Sequence, residues 1–198
     1  MIYPIQRQNL TEYKNIKFSG ANLSLYDKGC CVVALTNLCN FFGKKIDPIK
    51  LSELLEFTNE GNVIWNSLTK IYPTIKFVWR YDWSNTDARL DIINDLLKQR
   101  NPLIVSTMTG KNRRIEHFLN LWEEKNGDYV CSCPLKGGIN FKEVYGDPTR
   151  WIYKVILYEY EEKDLLDRIK VSLEQALNFW ENLGISLKDI DSKVGALT

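Results

Sequence analysis

One stretch of the chain reads Lys28-Gly29-Cys30-Cys31-Val32-Val33-Ala34-Leu35-Thr36-Asn37-Leu38-Cys39-Asn40-Phe41-Phe42-Gly43. Apolar side chains recur in it at steps of three and four residues, which is the spacing of one face of an α-helix. Further apolar residues widen that face, so we predict a mostly buried helix that begins at Cys30 and ends before Gly43. A thiol therefore stands at the start of a helix, directly after a glycine.

The position of Cys30 favours ionisation of its side chain. The partial positive charge of a helix N-terminus stabilises a thiolate, and the thiolate is the nucleophilic form of cysteine. Free cysteines are otherwise among the most buried residues in proteins, which is the simpler interpretation of Cys31 and Cys39.

The only histidine of the chain, His117, lies in the other half of the sequence. It falls within a predicted strand, Ile115 to Trp122, which a favoured Asn-Gly turn at Asn126 joins to a second strand, Asp128 to Cys133. A cysteine at a helix start and a histidine on a distant strand form the arrangement that a Cys–His nucleophile requires.

The remaining pattern predicts an α+β fold, with N-terminal helices packed on an antiparallel sheet. Asp47 and Pro48 are a favoured cap and first turn for a second helix. Further predicted segments are a helix from Val63 to Ile71, a strand from Thr74 to Arg80, a helix from Thr86 or Asp87 to near Gln99, strands from Pro102 to Thr107 and from Trp151 to Tyr160, and a last helix from Glu162 to Leu183. We assign residues 1–160 to one domain and residues 161–198 to a C-terminal helical appendage.

The stretch around Cys30 resembles the nucleophile helix of the bacteriocin-leader (double-glycine) peptidase-like family, which belongs to the papain-like cysteine peptidases. That family reads Gly-Cys, then small residues, then an aliphatic run that closes on Asn-aromatic-aromatic-Gly. The resemblance extends over about residues 5 to 160. The segments that carry it further are Ile46-Asp47-Pro48, the Gly-x-x-x-Trp-x-x-Leu pattern from Gly61 to Leu68, His117-Phe118, and the glutamine segment Ile5-Gln6-Arg7-Gln8.

The resemblance implies a papain-like fold and hydrolysis of a peptide or amide bond. By this likeness Cys30 is the nucleophile and His117 the general base and acid. Gln6 donates a hydrogen bond to the oxyanion of the tetrahedral intermediate, with Gln8 as the alternative. The resemblance implies no cofactor and no metal ion.

Two departures from the family pattern bear on catalysis. Cys31 stands where the family has a small residue. The family also has an Asp or Asn, usually followed by Pro, that orients the histidine from the next strand, and this stretch reads Ser132-Cys133-Pro134 with no acidic residue from Val130 to Phe141. Asp147 or Asn140 is a possible substitute. The alternative is a catalytically degenerate domain that binds a peptide or a protein partner.

A third hypothesis is a metal site made of Cys30, Cys31, Cys131, Cys133 and His117. Adjacent cysteines and Cys-x-Cys match the usual Cys-x2–4-Cys spacing of zinc sites poorly, so this hypothesis ranks below the other two.

Composition narrows the partners. The chain has 198 residues with 26 basic and 25 acidic side chains, so it offers no electrostatic reason to expect a nucleic-acid partner. No apolar run approaches the length of a membrane span, and the N-terminus lacks the pattern of a secretory signal. We therefore expect a soluble bacterial or phage protein that is cytoplasmic as synthesised. If it acts outside the cell that made it, release by lysis or association with a virion would bring it there. The expected substrate is a peptide, a protein or a peptidoglycan peptide, and the C-terminal helix is a candidate surface for a protein partner.

Overall fold

The structure is a computed structural model that describes residues 3–18, 22–109 and 115–161. Its helices are α1 (Leu25–Lys28), α2 (Cys30–Phe41), α3 (Pro48–Leu54), α4 (Ser67–Ile71), α5 (Leu90–Lys98), α6 (Phe141–Tyr145) and α7 (Pro148–Trp151). Its strands are β1 (Lys17–Phe18), β2 (Leu23–Ser24), β3 (Ile75–Asp82), β4 (Leu103–Thr109), β5 (Ile115–Lys125), β6 (Asp128–Cys133), β7 (Gly137–Asn140) and β8 (Lys154–Tyr160).

Six of the strands form one sheet in the order β3-β8-β4-β5-β6-β7, and all neighbouring pairs are antiparallel. The short strands β1 and β2 form a separate hairpin. Helix α2 packs on β5, near the middle of the large sheet. This packing places the start of the first long helix beside the strand that carries the histidine.

Side chains of alternate residues enter two separate cores, one on each face of the sheet, as the period of two in a strand requires. Ile104 and Ile156 belong to the core that α2 and α3 cover. Their neighbours Val105 and Val155 belong to the core that α5 and α6 cover. Because both faces of the sheet are covered, the central strands are apolar on both sides.

Glycines delimit helix α2. Gly29 separates it from α1, and Gly43, just beyond its end, has a φ of 75° that a side chain would strain. At Gly29 the constraint is space, because an added Cβ atom would lie against the carbonyl oxygen of Leu25 and 2.6 Å from its Cδ1 atom. The helix predicted to begin at Cys30 is confirmed.

The hairpin predicted at Asn126-Gly127 is also confirmed. Asn126 has a φ of 55° and Gly127 a φ of 76°, as a two-residue hairpin turn with two left-handed residues requires. The cap at Asp47 is present as well, because its side chain accepts a hydrogen bond from the backbone N–H of Lys50.

Three predicted elements begin three or four residues later than expected. The helix predicted from Val63 begins at Ser67, because Val63 is extended and bridges Phe57 across an antiparallel pair. The helix predicted from Thr86 or Asp87 begins at Leu90. The strand predicted from Trp151 begins at Lys154, because Asp147 caps the short helix α7 that precedes it.

The α+β class with an antiparallel sheet is therefore confirmed. Residues Met1–Tyr160 form one compact unit. The proposed appendage, including the helix predicted from Glu162 to Leu183, lies outside the described residues and stays a prediction. Within the described ranges, no helix has the length and the apolar character that crossing a bilayer requires.

Candidate active site

The fold brings the predicted nucleophile and the predicted base together. Cys30 is the first residue of α2, and His117 lies on β5 with 2% of its surface exposed. The two side chains line the same groove, and the imidazole of His117 is near enough to the Cys30 thiol for each to shift the pKa of the other. The two residues that sequence analysis paired across the chain are therefore neighbours in the fold.

A buried polar network fixes the register of α2 on β5. The side-chain nitrogen of Asn37 on the helix donates to Oδ1 of Asn120 on the strand, at 3.2 Å. The side-chain nitrogen of Asn120 in turn donates to the carbonyl oxygen of Ala34, at 3.0 Å. Asn37 also accepts a hydrogen bond of 2.7 Å from the backbone N–H of Gln6. Because both asparagines are fully buried, a slip of the helix along the strand would leave polar groups unpaired.

The surroundings of Cys30 stabilise its thiolate. The hydrogen bond from the Cys31 thiol is the largest influence, and it lowers the pKa of Cys30. Burial opposes ionisation, but the imidazole of His117 and the backbone N–H of Phe118 both favour the charged sulfur. The net result is a pKa for Cys30 well below the ordinary thiol value.

Cys31 has the opposite tendency. Burial raises its pKa, and the hydrogen bond to the Cys30 sulfur and the negative charge there raise it further. A thiol that stays protonated can donate its proton to a neighbouring thiolate. The adjacent thiol, a departure from the family pattern, is therefore placed to donate to the Cys30 sulfur.

His117 lies between two sulfur atoms. Its Nε2 atom is 3.3 Å from the Sγ atom of Cys133, and the Cys30 sulfur is near enough to raise its pKa. Burial alone would lower the pKa of His117, but the hydrogen bonds and negative charges of Cys133 and Cys30 raise it to about 9. The imidazole is therefore protonated at neutral pH.

Cys133 occupies the place from which an acid would orient the histidine. It ends strand β6, is fully buried, and also lies 3.2 Å from the hydroxyl of Tyr145 on α6. The suggested substitutes do not reach the imidazole in this way. Asp147 is exposed and accepts from the backbone N–H of Thr149 in the cap of α7, and Asn140 is exposed at the end of β7.

The two candidate glutamines lie in different surroundings. Gln8 is 3% exposed and lines the same groove as Cys30 and His117. Its backbone N–H donates to the carbonyl oxygen of Pro134, and its side-chain nitrogen donates to the carbonyl oxygen of Tyr26, at 3.0 Å. Gln6 is half-buried, binds Asn37 through its backbone, and is not among the residues that line this groove.

The groove is open, with a volume of about 780 Å³. One wall comes from α1 and the start of α2, and the other from the loop Glu60–Val63 and strand β5. A second cavity of about 620 Å³ adjoins it through Cys31, Asn62, Val63, Glu116 and Phe118. Trp65 and Phe77 line the second cavity, together with Lys154, whose Nζ atom lies 2.6 Å from Oε1 of Glu116.

Two features of the site did not emerge from the sequence. The sequence marks Cys133 only by Pro134, the proline that follows the acid in the family pattern, and not as a partner of the histidine. Tyr145 gave no signal, because nothing in the sequence predicted the single turn of α6. Among the residues that the structure describes, which include all five cysteines and the histidine, no three metal-ligating side chains are grouped to hold a metal ion, and the hypothesis of a cysteine–histidine metal site finds no support.

No protein-family model matches the sequence, and no curated protein matches it. Solved structures do match the fold. The peptidase domain of Streptococcus ComA, a bifunctional ABC transporter involved in a quorum-sensing pathway, has a TM-score of 0.54 at 15% identity, over 81% of this chain and 100% of that one. A C39-like peptidase from Bacillus anthracis has a TM-score of 0.51 at 13% identity, over 80% of this chain and 96% of that one.

A double-glycine-motif protease domain from an AMS/PCAT transporter, solved in complex with its leader peptide, has a TM-score of 0.46 at 13% identity, over 81% of this chain and 100% of that one. The first two similarities establish the fold at low sequence identity. The predicted papain-like fold, and with it the resemblance to the bacteriocin-leader peptidase-like family, is confirmed at the level of the fold.

Proposed function

We propose that this chain is a cysteine peptidase or amidase in which Cys30 is the nucleophile and His117 the general base and acid. The observation that carries the proposal is that Cys30, at the start of α2, and His117, on β5, line the same open groove and shift each other's pKa toward a thiolate and an imidazolium. The low pKa of Cys30 and the raised pKa of His117 favour a thiolate beside an imidazolium, the state from which cysteine hydrolases react. The fold shared with peptidase domains agrees with this chemistry.

In the first half of the reaction, the Cys30 thiolate attacks the carbonyl carbon of the scissile bond. A carbon–sulfur bond forms, and the carbonyl oxygen becomes an oxyanion. When the tetrahedral intermediate collapses, the carbon–nitrogen bond breaks and the imidazolium of His117 transfers its proton to the leaving amine. The products of this half are a thioester on Cys30, a free amine and a neutral His117.

In the second half, a water molecule replaces the amine. Neutral His117 takes a proton from this water as the oxygen attacks the thioester carbon. Collapse of the second intermediate breaks the carbon–sulfur bond and releases a carboxylic acid. The thiolate and the imidazolium are thereby restored.

Gln8 is the better supported donor to the oxyanion. A side-chain amide carries two N–H groups, and one of those of Gln8 is used by Tyr26. The other is available to the groove that also holds Cys30. The backbone N–H groups in the first turn of α2 have no partner within that helix and can supply the second hydrogen bond. Gln6 remains a prediction of the family resemblance, without this support.

The groove suits an extended polypeptide. It is partly open to solvent and shares Cys31, Glu116 and Phe118 with the second cavity, and the two volumes have room for several residues of a substrate. The candidate substrates are therefore a peptide, a protein segment or the peptide part of peptidoglycan. Cleavage of a leader peptide is one case within this class.

The alternative is a domain of the same fold that binds a peptide in the groove without cleaving it. The observation that favours it is that, in the described part of the chain, the side chain that contacts Nε2 of His117 is the thiol of Cys133 and not a carboxylate. Both functions use the same groove, so they differ in the reactivity of Cys30 and not in the shape of the site.

The proposal is tested by measuring alkylation of each cysteine against pH, with peptide mass spectrometry, in the native chain and in His117→Ala. We expect Cys30 alone to react rapidly below the ordinary thiol pKa of about 8.5 and to slow in the variant. Cys39 is the internal control, because burial raises its pKa to about 12. Equal reactivity of Cys30 and Cys31 at pH 6, or no response to His117→Ala, would favour the binding module.

Hydrolysis and alkylation must also diverge at high pH. The thiolate of Cys30 persists as the pH rises, so the alkylation rate reaches a plateau. Hydrolysis additionally needs the proton of His117, whose pKa is raised to about 9. We therefore expect hydrolysis of a peptide selected from a library to decline above about pH 9 while alkylation does not.

A further inference from the structure

We propose that Cys133 is the group that orients and charges His117, so that the site is a Cys–His–Cys triad in which a buried thiolate stands in place of a carboxylate. This inference rests on the proposed function, because it assigns Cys133 a positioning role toward the base of that reaction. Cys133 is not among the residues that line the groove, so it would not contact a substrate bound in it. It acts on catalysis through the imidazole alone.

Three polar groups that can donate a proton surround the Cys133 sulfur. Nε2 of His117 lies at 3.3 Å and the hydroxyl of Tyr145 at 3.2 Å, and the backbone N–H of Leu135 favours the charged form of the sulfur. A neutral thiol is a weak acceptor. A thiolate can accept from all three groups, and each such charge-assisted bond favours the ionised sulfur. The surroundings of Cys133 therefore suit a thiolate.

The charges around Cys133 are few. The titratable groups that face it are His117 from β5, Tyr145 from α6, Cys131 on its own strand, and Cys30 across the imidazole from α2. Burial raises the pKa values of Tyr145 and Cys131, so both remain neutral. Burial also opposes ionisation of Cys133, but the imidazole, the Tyr145 hydroxyl and the Leu135 N–H lower its pKa overall.

One imidazolium between two thiolates has the same net charge as an imidazolium between a thiolate and a carboxylate. The arrangement therefore meets the electrostatic requirement of a triad without an acid. It also fixes the ring. With Nε2 held by Cys133, Nδ1 is the ring nitrogen left to interact with Cys30, and a rotation of the imidazole away from Cys133 would leave a buried anion unpaired.

The thiolate differs from a carboxylate in its response to pH. A carboxylate keeps its charge down to about pH 4, whereas a thiol with an ordinary pKa of about 8.5 keeps less of its charge in acid, even when that pKa is lowered. The orienting charge of this site is therefore lost at a higher pH than in a triad with an acid. Cys133→Asp should extend the activation of Cys30 to lower pH.

The first test follows the pKa of His117 by NMR, which is unambiguous because the chain has a single histidine. The measurement is made on Cys30→Ala, so that only Cys133 can charge the ring, and on Cys30→Ala with Cys133→Ser. We expect a pKa above the ordinary value of about 6.5 in the former and below it in the latter, where burial acts alone. The matched control is Cys30→Ala with Cys131→Ser. This variant also removes a buried thiol from β6, but that thiol donates to the carbonyl oxygen of Tyr129 and not to His117. It should keep the raised value.

The second test measures alkylation of Cys30 at pH 6 in chains that retain it. Cys133→Ser should slow the reaction about tenfold, which corresponds to one unit in the pKa of Cys30. Cys133→Asp should restore the rate and shift the acid limb of its profile to lower pH. Equal His117 pKa values in the two Cys30→Ala proteins, or a Cys30 rate indifferent to both Cys133 substitutions, would overturn the triad. A native Cys30 that reacts no faster than Cys39 would instead contradict the proposed hydrolase, and the NMR titration would still decide the role of Cys133.

Discussion

At the scale of single residues, the pKa values of two adjacent thiols of one helix are shifted in opposite directions. Cys30 is stabilised as the anion, and Cys31 remains protonated and donates to it. The sequence shows only Cys-Cys, in which either sulfur is a plausible nucleophile. The difference arises because the charged sulfur of Cys30 is favoured by His117 and the N–H of Phe118, whereas Cys31 is buried beside that negative charge and near the Glu116–Lys154 ion pair.

We predict that Cys31→Ala raises the pKa of Cys30 by about one unit or more, because a hydrogen bond to a charged group contributes about 1.5–3 kcal/mol. The measurement is the midpoint of Cys30 alkylation against pH. Cys31→Ser is the matched variant, since its hydroxyl can still donate, and it should stay close to the native midpoint. A midpoint that is the same in the alanine and serine variants would show that the Cys31 proton does not support the thiolate.

The two glutamines can be separated by kinetics. We predict that Gln8→Ala lowers kcat for a cleaved peptide by about 10²- to 10³-fold, the usual effect of losing one oxyanion donor, and leaves alkylation of Cys30 nearly unchanged. Gln6→Ala should have a small effect on both, because its visible contact with Asn37 uses the backbone. A large loss of kcat in Gln6→Ala and a small one in Gln8→Ala would instead identify Gln6 as the oxyanion donor.

At the scale of elements, the site depends on where α2 begins and on how it lies against β5. We predict that Gly29→Ala destabilises the fold by about 2 kcal/mol through overpacking against Leu25 and slows alkylation of Cys30. Gly43→Ala, at the other end of the same helix, has open space around it and should cost about 1 kcal/mol of backbone strain without changing Cys30. Urea unfolding and alkylation at pH 6 measure the two effects separately. Slowed alkylation in both variants would indicate that the whole helix is less stable, and not that its N-terminus and Cys30 are displaced.

The asparagine network gives a second prediction at this scale. Asn120→Ala removes the partner of Asn37 and leaves the carbonyl oxygen of Ala34 without that bond, so it should lower the free energy of unfolding by about 2–4 kcal/mol. Asn140→Ala is the control, because Asn140 is exposed and its side chain makes no capping bond. Urea denaturation of the two variants should differ by most of that amount. A loss below about 1 kcal/mol in Asn120→Ala would mean that apolar packing alone holds the helix on the strand.

The elements that sequence patterns predicted are those whose signals are local. Helix α2 has a long apolar period between two glycines, and the β5–β6 hairpin has its Asn-Gly turn. The elements missed or mispositioned depend on tertiary contacts. The expected helix at Val63 yields to a bridge with Phe57, and α6 is a single turn that packs beneath the site. Cys30 and His117 could be named because their residue types are diagnostic, whereas the use of Cys133 depends on which ring nitrogen faces it.

At the scale of the whole molecule, the first compact unit contains every residue of the site and both hydrophobic cores. Its sheet is covered on both faces, so the unit has the interior that independent folding requires. The domain boundary near residue 160 was proposed from the end of the last strand pattern, and β8 ends at Tyr160.

We therefore predict that a chain of residues 1–161 unfolds cooperatively and keeps the rapid alkylation of Cys30 at pH 6. Circular dichroism during urea unfolding and peptide mass spectrometry measure these properties. Loss of the cooperative transition would place the domain boundary elsewhere. A cooperative transition with slow alkylation would instead show that residues beyond 161 contribute to the site.

Helix α2 carries two thiols whose ionisation moves in opposite directions when the chain unfolds. Cys30 becomes a weaker acid as it loses His117, while Cys39, whose pKa burial raises to about 12, becomes a stronger one. A brief labelling pulse at pH 6 therefore marks the folded population at Cys30, and a pulse at pH 8.5 marks the unfolded population at Cys39. The ratio of the two labels on the peptide that contains both cysteines measures the folded fraction of the chain, and it needs neither a dye nor a substrate.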